Sequence, residues 1–238
     1  MNYAILLAGG VGSRMGTNGL PKQYIEVNGK PVIMYTLEQL ELCPSIDRIV
    51  VVAAEVWTEQ ITRWNAQYHI KKHWAFAAPG PDRQVSILNG LEVCTIKEPE
   101  DNDVVVIHDA VRPLVSVELL DNCIKTAAQY GGCMPVLPMK DTVYMSQNGV
   151  NISGLLERST LFVGQAPEAF RLREYAKMNH DCTLEELKAY PGSSQIAYQH
   201  GLEVRMIPGE EINFKLTTPE DMARFCEICA KTNCEVKK

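Results

Sequence analysis

The chain has 238 residues, 46% of them hydrophobic, and sets 23 lysines and arginines against 29 aspartates and glutamates, a formal net charge of -6. That length suits one α/β domain with a sizeable core, and an acidic balance without a basic stripe argues against nucleic acid as a partner. No basic region precedes the first apolar run and no apolar stretch approaches about 18 residues, so no secretory signal or membrane span is expected and a cytoplasmic protein is the default.

Residues 3–8 form an apolar run that ends in glycines and reads as a buried strand entering a tight loop. Gly9, Gly10 and Gly12 let backbone N–H groups approach a ligand closely, and Arg14 and Lys22 set two permanent cations over the same loop. Bare amides with two cations suit a polyphosphate. A Walker loop is excluded because Gly16 is followed by Thr17-Asn18 instead of Lys-Ser/Thr. The dinucleotide pattern fails because Met15 stands where its third glycine belongs, and Glu55 after the next strand is a weak ribose signal. A plain glycine-rich turn leaves Arg14 and Lys22 unexplained.

Further along, residues 32–42 have helical spacing, 47–54 form a continuous apolar strand, and 58–68 read as a helix. Residues 75–78 are a short strand and 85–94 a helix; residues 103–107 are an apolar strand that delivers His108-Asp109-Ala110-Val111-Arg112-Pro113. A helix at 117–130 and a strand at 133–137 follow. Such alternation implies right-handed βαβ units in a mostly parallel sheet, which binds ligands beyond its strand C-terminal ends. Asn148-Gly149 signals a tight hairpin with short flanking strands within residues 141–153, which needs a second surface, either its own domain or another subunit. Residues 173–178, 184–189 and 219–231 read as helices, the last with Thr218 as N-cap, and 200–208 as a strand.

Eight cysteines are scattered, apart from Cys226-x-x-Cys229 and Cys234. One C-x-x-C pair is a weak metal or redox signal, and Met222, Phe225, Cys226 and Cys229 share one apolar helix face, which reads as buried thiols.

Asp109 closes an apolar strand, where a carboxylate needs a cation, and beside a triphosphate loop Mg²⁺ is the natural occupant. His108 reads as structural. Arg112 is a candidate phosphate clamp, the alternative being a salt bridge that shapes its loop. Asn213, Lys215 and Thr217 fall on one face of an extended segment, so Lys215 either reaches the cleft or stays solvated while Phe214 and Leu216 pack inward.

The loop L-A-G-G-x-G-x-R-M-G with P-K-Q resembles the signature of nucleotidyltransferases. With PDRQVS at 81–86, HDAVRP at 108–113, KDTV at 140–143, ERSTLFVGQAPEAF at 157–170 and NFKLTTPEDM at 213–222, nearly the whole chain resembles the family of 2-C-methyl-D-erythritol 4-phosphate and ribitol 5-phosphate cytidylyltransferases. The resemblance implies a single Rossmann-like nucleotidyltransferase domain over 1–238, with helices on both faces of the sheet and a protruding β-hairpin arm at 139–160 that joins a homodimer. It implies CTP on Leu7, Ala8, Gly9, Gly10 and Gly12, with cytosine against Gly80, Pro81 and Ser86. Arg14, Lys22, Lys215 and an Mg²⁺ on Asp109 would meet the phosphates, and Arg112, Thr142 and a partner's Arg158 the acceptor. That acceptor is a polyol phosphate, of the kind used in teichoic acid or isoprenoid-precursor synthesis. Its phosphate, with a second pKa near ~6, is already an ionised nucleophile for the α-phosphorus.

LAGG and HDAVRP look closer to the ribitol branch than to the erythritol branch. Two departures fall on the acceptor side. Gln165-Ala166-Pro167-Glu168 stands where the family usually has Gln-Thr-Pro-Gln, and Pro191-Gly192 where it has Thr-Asp. The expectation is a ribitol 5-phosphate-like acceptor, the alternative being the erythritol phosphate with Ser193, Ser194 or Gln195 replacing the lost contacts. A nicotinamide oxidoreductase lacks its fingerprint here. A silent nucleotide-binding dimer would be favoured by loss of Arg14, Lys22 or Lys215, all of which are present.

Overall fold

The computed structural model describes residues 1–10, 20–190 and 192–235, the last four as helix backbone. Gly12, Arg14, Pro191 and the Cys234 side chain therefore lie outside the described residues. In chain order the elements are β1 (Asn2–Leu7), β2 (Glu26–Val27), β3 (Lys30–Pro31), α1 (Val32–Leu42), β4 (Arg48–Val52), α2 (Glu55–Gln67), β5 (His73–Ala77), α3 (Arg83–Cys94), β6 (Val104–Asp109), α4 (Val117–Tyr130) and β7 (Gly132–Pro138). There follow β8 (Tyr144–Met145), β9 (Gly154–Leu155), β10 (Phe162–Gly164), β11 (Glu168–Arg171), α5 (Leu172–Asp181), α6 (Leu184–Ala189), α7 (Ser193–Gln199), β12 (Val204–Pro208) and α8 (Pro219–Glu235).

The main sheet runs β7-β11-β6-β1-β4-β5, with β10 and β12 also pairing with β7. β1, β4, β5 and β6 are parallel, as are β7 and β12. β11 enters antiparallel between β6 and β7, and β10 also runs antiparallel along β7. The sheet is mixed but mostly parallel, as the alternation implies.

Continuous apolar runs make these strands because both faces are covered. On β1, Ala4 and Leu6 face one core with α1 and α4 residues such as Leu37, Leu40 and Leu120, while Tyr3 and Ile5 face another with Ile87, Leu91 and Tyr175. α4 starts at the Ser116 cap, whose Oγ accepts the Leu119 N–H, and stops at Gly131, where φ is 104°. Thr218 caps α8 as expected, its Oγ1 accepting the Asp221 N–H at 3.3 Å.

α7 and the β10–β11 run occupy stretches to which no element is assigned above, and three expectations are corrected. The Asn148-Gly149 hairpin is not tight: Tyr144 pairs with Leu155 and Met145 with Gly154, which leaves residues 146–153 as its loop. Cys226 is exposed while Phe225 and Cys229 are buried, because the apolar stripe of α8 is too narrow to include it. Residues 213–217 form no strand, and Asn213 is fully buried, away from the exposed Lys215. The described cysteines are free thiols.

Candidate active site

Strand ends assemble the cleft. β1 is extended past Leu7 by the Ala8 N–H, which donates to Val52 C=O at 2.9 Å, while Leu7 C=O accepts from Ala110 N–H at 3.0 Å. A Cβ on Gly9 would lie 2.4 Å from the Pro79 Cβ, so the loop after β1 meets the loop after β5 only because residue 9 is glycine. Gly10 faces open space. Gln23 secures this loop from below: its Nε2 donates to Ala8 C=O at 2.6 Å and Gly10 C=O at 2.8 Å, while Tyr24 adds its hydroxyl to Ala8 C=O and stacks on Trp57. Lys22 stands beside them, close enough to Asp221 to help the Thr217 and Thr218 N–H groups overcome burial and lower that carboxyl's pKa.

The second wall is the turn into α3. Asp82 caps the helix through Val85 N–H at 2.9 Å, and Ser86 Oγ accepts Gly80 N–H at 2.9 Å while donating to Asp82 C=O. A Cβ on Gly80 would collide with Val85, so Gly80, Pro81 and Ser86 form one tight cradle.

At the end of β6, Asp109 is buried among three cations: Lys215 Nζ at 2.9 Å, Arg112 Nε at 3.6 Å and Arg83 Nε at 3.7 Å. Burial pushes its pKa up, but Lys215, Arg83 and Arg112 outweigh burial and hold the carboxyl well below its usual range. Lys215 reaches the cleft because the next residue, Leu216, is anchored in a core with Val111 and Phe225 and donates its N–H to Val111 C=O at 2.9 Å. Arg112 is fixed by its Nη1 bond to Asn213 C=O at 2.7 Å, and Asn213 in turn donates to Ala166 C=O at 2.7 Å. Gln165 completes the brace, exchanging two 3.0 Å bonds with the Glu210 backbone.

His108 donates through Nε2 to Arg112 C=O at 3.2 Å, since a carbonyl only accepts, and its buried Nδ1 has no partner among the described residues. Burial pushes its pKa down to about 4, so the ring is a neutral strut, as its sequence position suggested. Thr142 and Arg158 lie exposed on and below the arm, and Arg158 bonds Lys140 C=O at 3.1 Å. Among the described residues no hydrogen bond or ion pair joins Arg158 to Asp109. Sequence reading missed Gln23, Gln165, Arg83 and Glu168 as site supports, although each stands in a quoted motif. Among the described residues no cluster of three metal-ligating side chains occurs.

A mostly parallel sheet thus brings Gly9, Gly10 and a cation-ringed carboxylate together at its strand ends. The chain matches the profile of IspD, 2-C-methyl-D-erythritol 4-phosphate cytidylyltransferase, over residues 2–230, and it belongs to that family. Among similar proteins, the ribitol-5-phosphate cytidylyltransferase of Vibrio parahaemolyticus is 36% identical over 234 residues, 96% of this chain and 95% of the relative. The protein of the same name from Streptococcus agalactiae serotype III is 33% identical over 225 residues, 94% of each chain. Among solved structures, the 4-diphosphocytidyl-2C-methyl-D-erythritol synthase of Anaerococcus prevotii superposes with a TM-score of 0.79 at 25% identity, covering 97% of this chain and 96% of its own.

Proposed function

We propose that this cytidylyltransferase transfers CMP from CTP to the phosphate of ribitol 5-phosphate or a similar polyol phosphate. One acceptor phosphate oxygen bonds to the α-phosphorus while the bridging bond from that phosphorus to the β-phosphate breaks, and pyrophosphate leaves with the electron pair. No general base is required, because the nucleophile is already ionised near neutral pH. The chemistry is then positioning plus neutralisation of charge that grows on the α-phosphoryl group. The observation that carries this reading is the Lys215–Asp109–Arg112–Arg83 cluster beside the glycine loop.

Leu7, Ala8, Gly9, Gly10 and Gly12 would hold the triphosphate with Arg14 and Lys22, and Gly80, Pro81 and Ser86 the cytosine. Lys215 supplies charge at the α-phosphoryl, and Arg112 clamps the acceptor phosphate. We assign Mg²⁺ to Asp109, a buried carboxylate at the end of β6 that would give up part of its contact with Lys215 to an ion whose remaining ligands are phosphate oxygens and water. Bound there with CTP, the ion would neutralise phosphate charge.

Ribitol 5-phosphate is favoured as acceptor by the names of the Vibrio and Streptococcus relatives. Two local features support it. Ala166 offers no hydroxyl, and the hydroxyls of Ser193 and Ser194 bond Arg83 and Glu168, which leaves Gln195 to supply the contacts that the erythritol alternative needs. Pyrophosphate release measured with CTP, Mg²⁺ and each acceptor in turn tests this. The expected kcat/KM is higher for ribitol 5-phosphate than for 2-C-methyl-D-erythritol 4-phosphate, and the reverse order overturns the assignment.

We further read residues 139–160 as a dimerisation arm that brings Thr142 and Arg158 to the acceptor site of a second subunit of a cytoplasmic homodimer. The β8–β9 ribbon is two residues a strand, too small to stand alone, and it exposes Tyr144, Met145, Val150, Ile152 and Leu155. Among the described residues no helix is long and apolar enough to cross a membrane.

A further inference from the structure

Glu168 is a buried carboxylate with no role in the transfer described above. It opens β11, between β6 and β7, and is 7% exposed. A charge so placed is costly unless both oxygens find partners, and both do. Oε1 lies 3.0 Å from Arg83 Nη2, while Oε2 accepts the Ser194 N–H at 2.8 Å and the Ser194 hydroxyl at 2.7 Å.

These partners belong to different elements. Arg83 is the first residue of α3 and lies within the Gly80–Ser86 turn. It spreads over three elements, with Nη2 on Glu168, Nη1 on Ser193 Oγ at 2.6 Å and Nε facing Asp109 Oδ1. Ser194 lies in the first turn of α7, where N–H groups lack partners within the helix. The N-cap residue of α7 is Gly192, which has no side chain with which to cap it. Glu168 caps the helix from a strand far away in sequence.

We propose that Glu168 is a positioning residue that divides its two oxygens between Arg83 and the first turn of α7, and so fixes the acceptor-side wall against the Asp109 cluster. In this chain, whose Gly192 cannot cap α7, the duty is double and calls for a carboxylate where the family usually has glutamine. An amide has one acceptor oxygen, so glutamine can serve Arg83 or the Ser194 N–H, and its NH₂ must then face a guanidinium or another N–H. The Ser194 hydroxyl can turn to accept instead, but the backbone N–H cannot.

The same geometry supplies a repair. Gly192 has φ -146° and ψ 152°, extended values open to any residue, and a Cβ there meets nothing within 4 Å. Aspartate is among the preferred N-cap residues and accepts from the second or third N–H of a helix, here Ser194 or Gln195. Gly192→Asp would take over the cap, so that in a Glu168→Gln background the single amide oxygen is free for Arg83.

The test uses the full-length enzyme and the variants Glu168→Gln, Gly192→Asp and the double variant. It rests on the transferase reading, so two readouts are paired. The first, hydrogen exchange at the Ser194 amide, needs no acceptor. Exchange should accelerate at least about tenfold in Glu168→Gln, the size of one lost charge-assisted bond, and slow again in the double variant. The second is steady-state kinetics. Glu168→Gln should lower kcat/KM for ribitol 5-phosphate about tenfold or more with the KM for CTP within about twofold, because Asp82 and Ser86 still hold the cytosine cradle. The double variant should recover to the kcat/KM of Gly192→Asp alone, which is its reference because residue 192 lies on the acceptor side and a carboxylate there has its own effect on the acceptor. Loss of thermal stability alone would not produce this split between substrates. Unchanged Ser194 protection in Glu168→Gln overturns the proposal, as does a kinetic loss that Gly192→Asp leaves in place. A wild-type enzyme inert on ribitol 5-phosphate overturns the acceptor assignment instead, and the exchange measurement then decides the present inference by itself.

Discussion

The ammonium of Lys215 stands 2.9 Å from the Asp109 carboxylate, although 106 residues of chain separate the two (215 minus 109). In the proposed reaction Lys215 would leave this pair for a more negative partner. A triphosphate is such a partner, and its charge at the α-phosphorus grows as the nucleophile closes. Replacing Lys215 or Lys22 by Ala should therefore lower kcat about 10²–10³-fold while changing CTP affinity much less. Stopped-flow turnover beside equilibrium CTP binding separates the two effects, and wild-type-like turnover in Lys215→Ala would remove that residue from the site.

Neighbouring glycines should behave differently. Gly9→Ala forces a Cβ into Pro79, parting the loops after β1 and β5, so it should lower the melting temperature and CTP affinity together. Among the described residues, Gly10→Ala meets no atom within 4 Å. It should leave the melting temperature in place and raise the KM for CTP, because the space it fills is the ligand's. Equal thermal shifts in the two variants would contradict this division.

His108 should contribute a pH-dependent share of stability. Its folded pKa is pushed down by burial to about 4 from an ordinary 6.5. Below pH 6.5 the unfolded chain takes up a proton that the folded protein refuses, so the contribution is complete above 6.5 and is lost as pH falls toward 4. At ~1.4 kcal/mol per pH unit that window is worth about 3 kcal/mol. Asp109, whose folded pKa is also depressed, adds its slope lower, below the ordinary carboxylate value near ~4. His108→Gln keeps an Nε2 donor for Arg112 but does not titrate. Denaturant unfolding between pH 6.5 and 4 should show a flatter slope in that variant, and parallel curves would refute the assignment.

The arm makes a prediction in mixture. If Arg158 serves a second subunit, Arg158→Ala and Lys22→Ala proteins, each inactive alone, should regain activity once their subunits exchange. Hybrid dimers would carry one complete site in two. Confirmed exchange without recovered pyrophosphate release would show that each subunit is self-sufficient.

Much of this was legible in the sequence because two-sided burial writes continuous apolar runs. β4, β6 and β7 are such runs, and helices α1, α4 and α6 fall on the expected residues. Asp109 and Lys215 were legible because a charge beside buried residues asks for a partner. The position of β11 was not, since Glu168–Arg171 is four residues long and its neighbours in the sheet are a tertiary choice. α7 stayed hidden for a related reason. Its cap comes from Glu168 instead of its own N-terminus, so the local start signal is missing. Arg83 likewise received no role, standing before the helix expected at 85–94, because its partner is 85 positions away.

The insertion of β11 also orders the protein's birth. Residues 2–109 supply β1, β4, β5 and β6, four adjacent parallel strands that an emerging chain can pair before the rest is made. Until Glu168–Arg171 leaves the ribosome, the flank of β6 is an open template for other chains, and until Lys215 follows, Asp109 lacks its nearest cation. The nascent chain is thus most prone to aggregate in the interval when its glycine-loop wall already exists and its chemistry does not. Protection from that hazard and competence for catalysis arrive late in translation, with the same C-terminal segment.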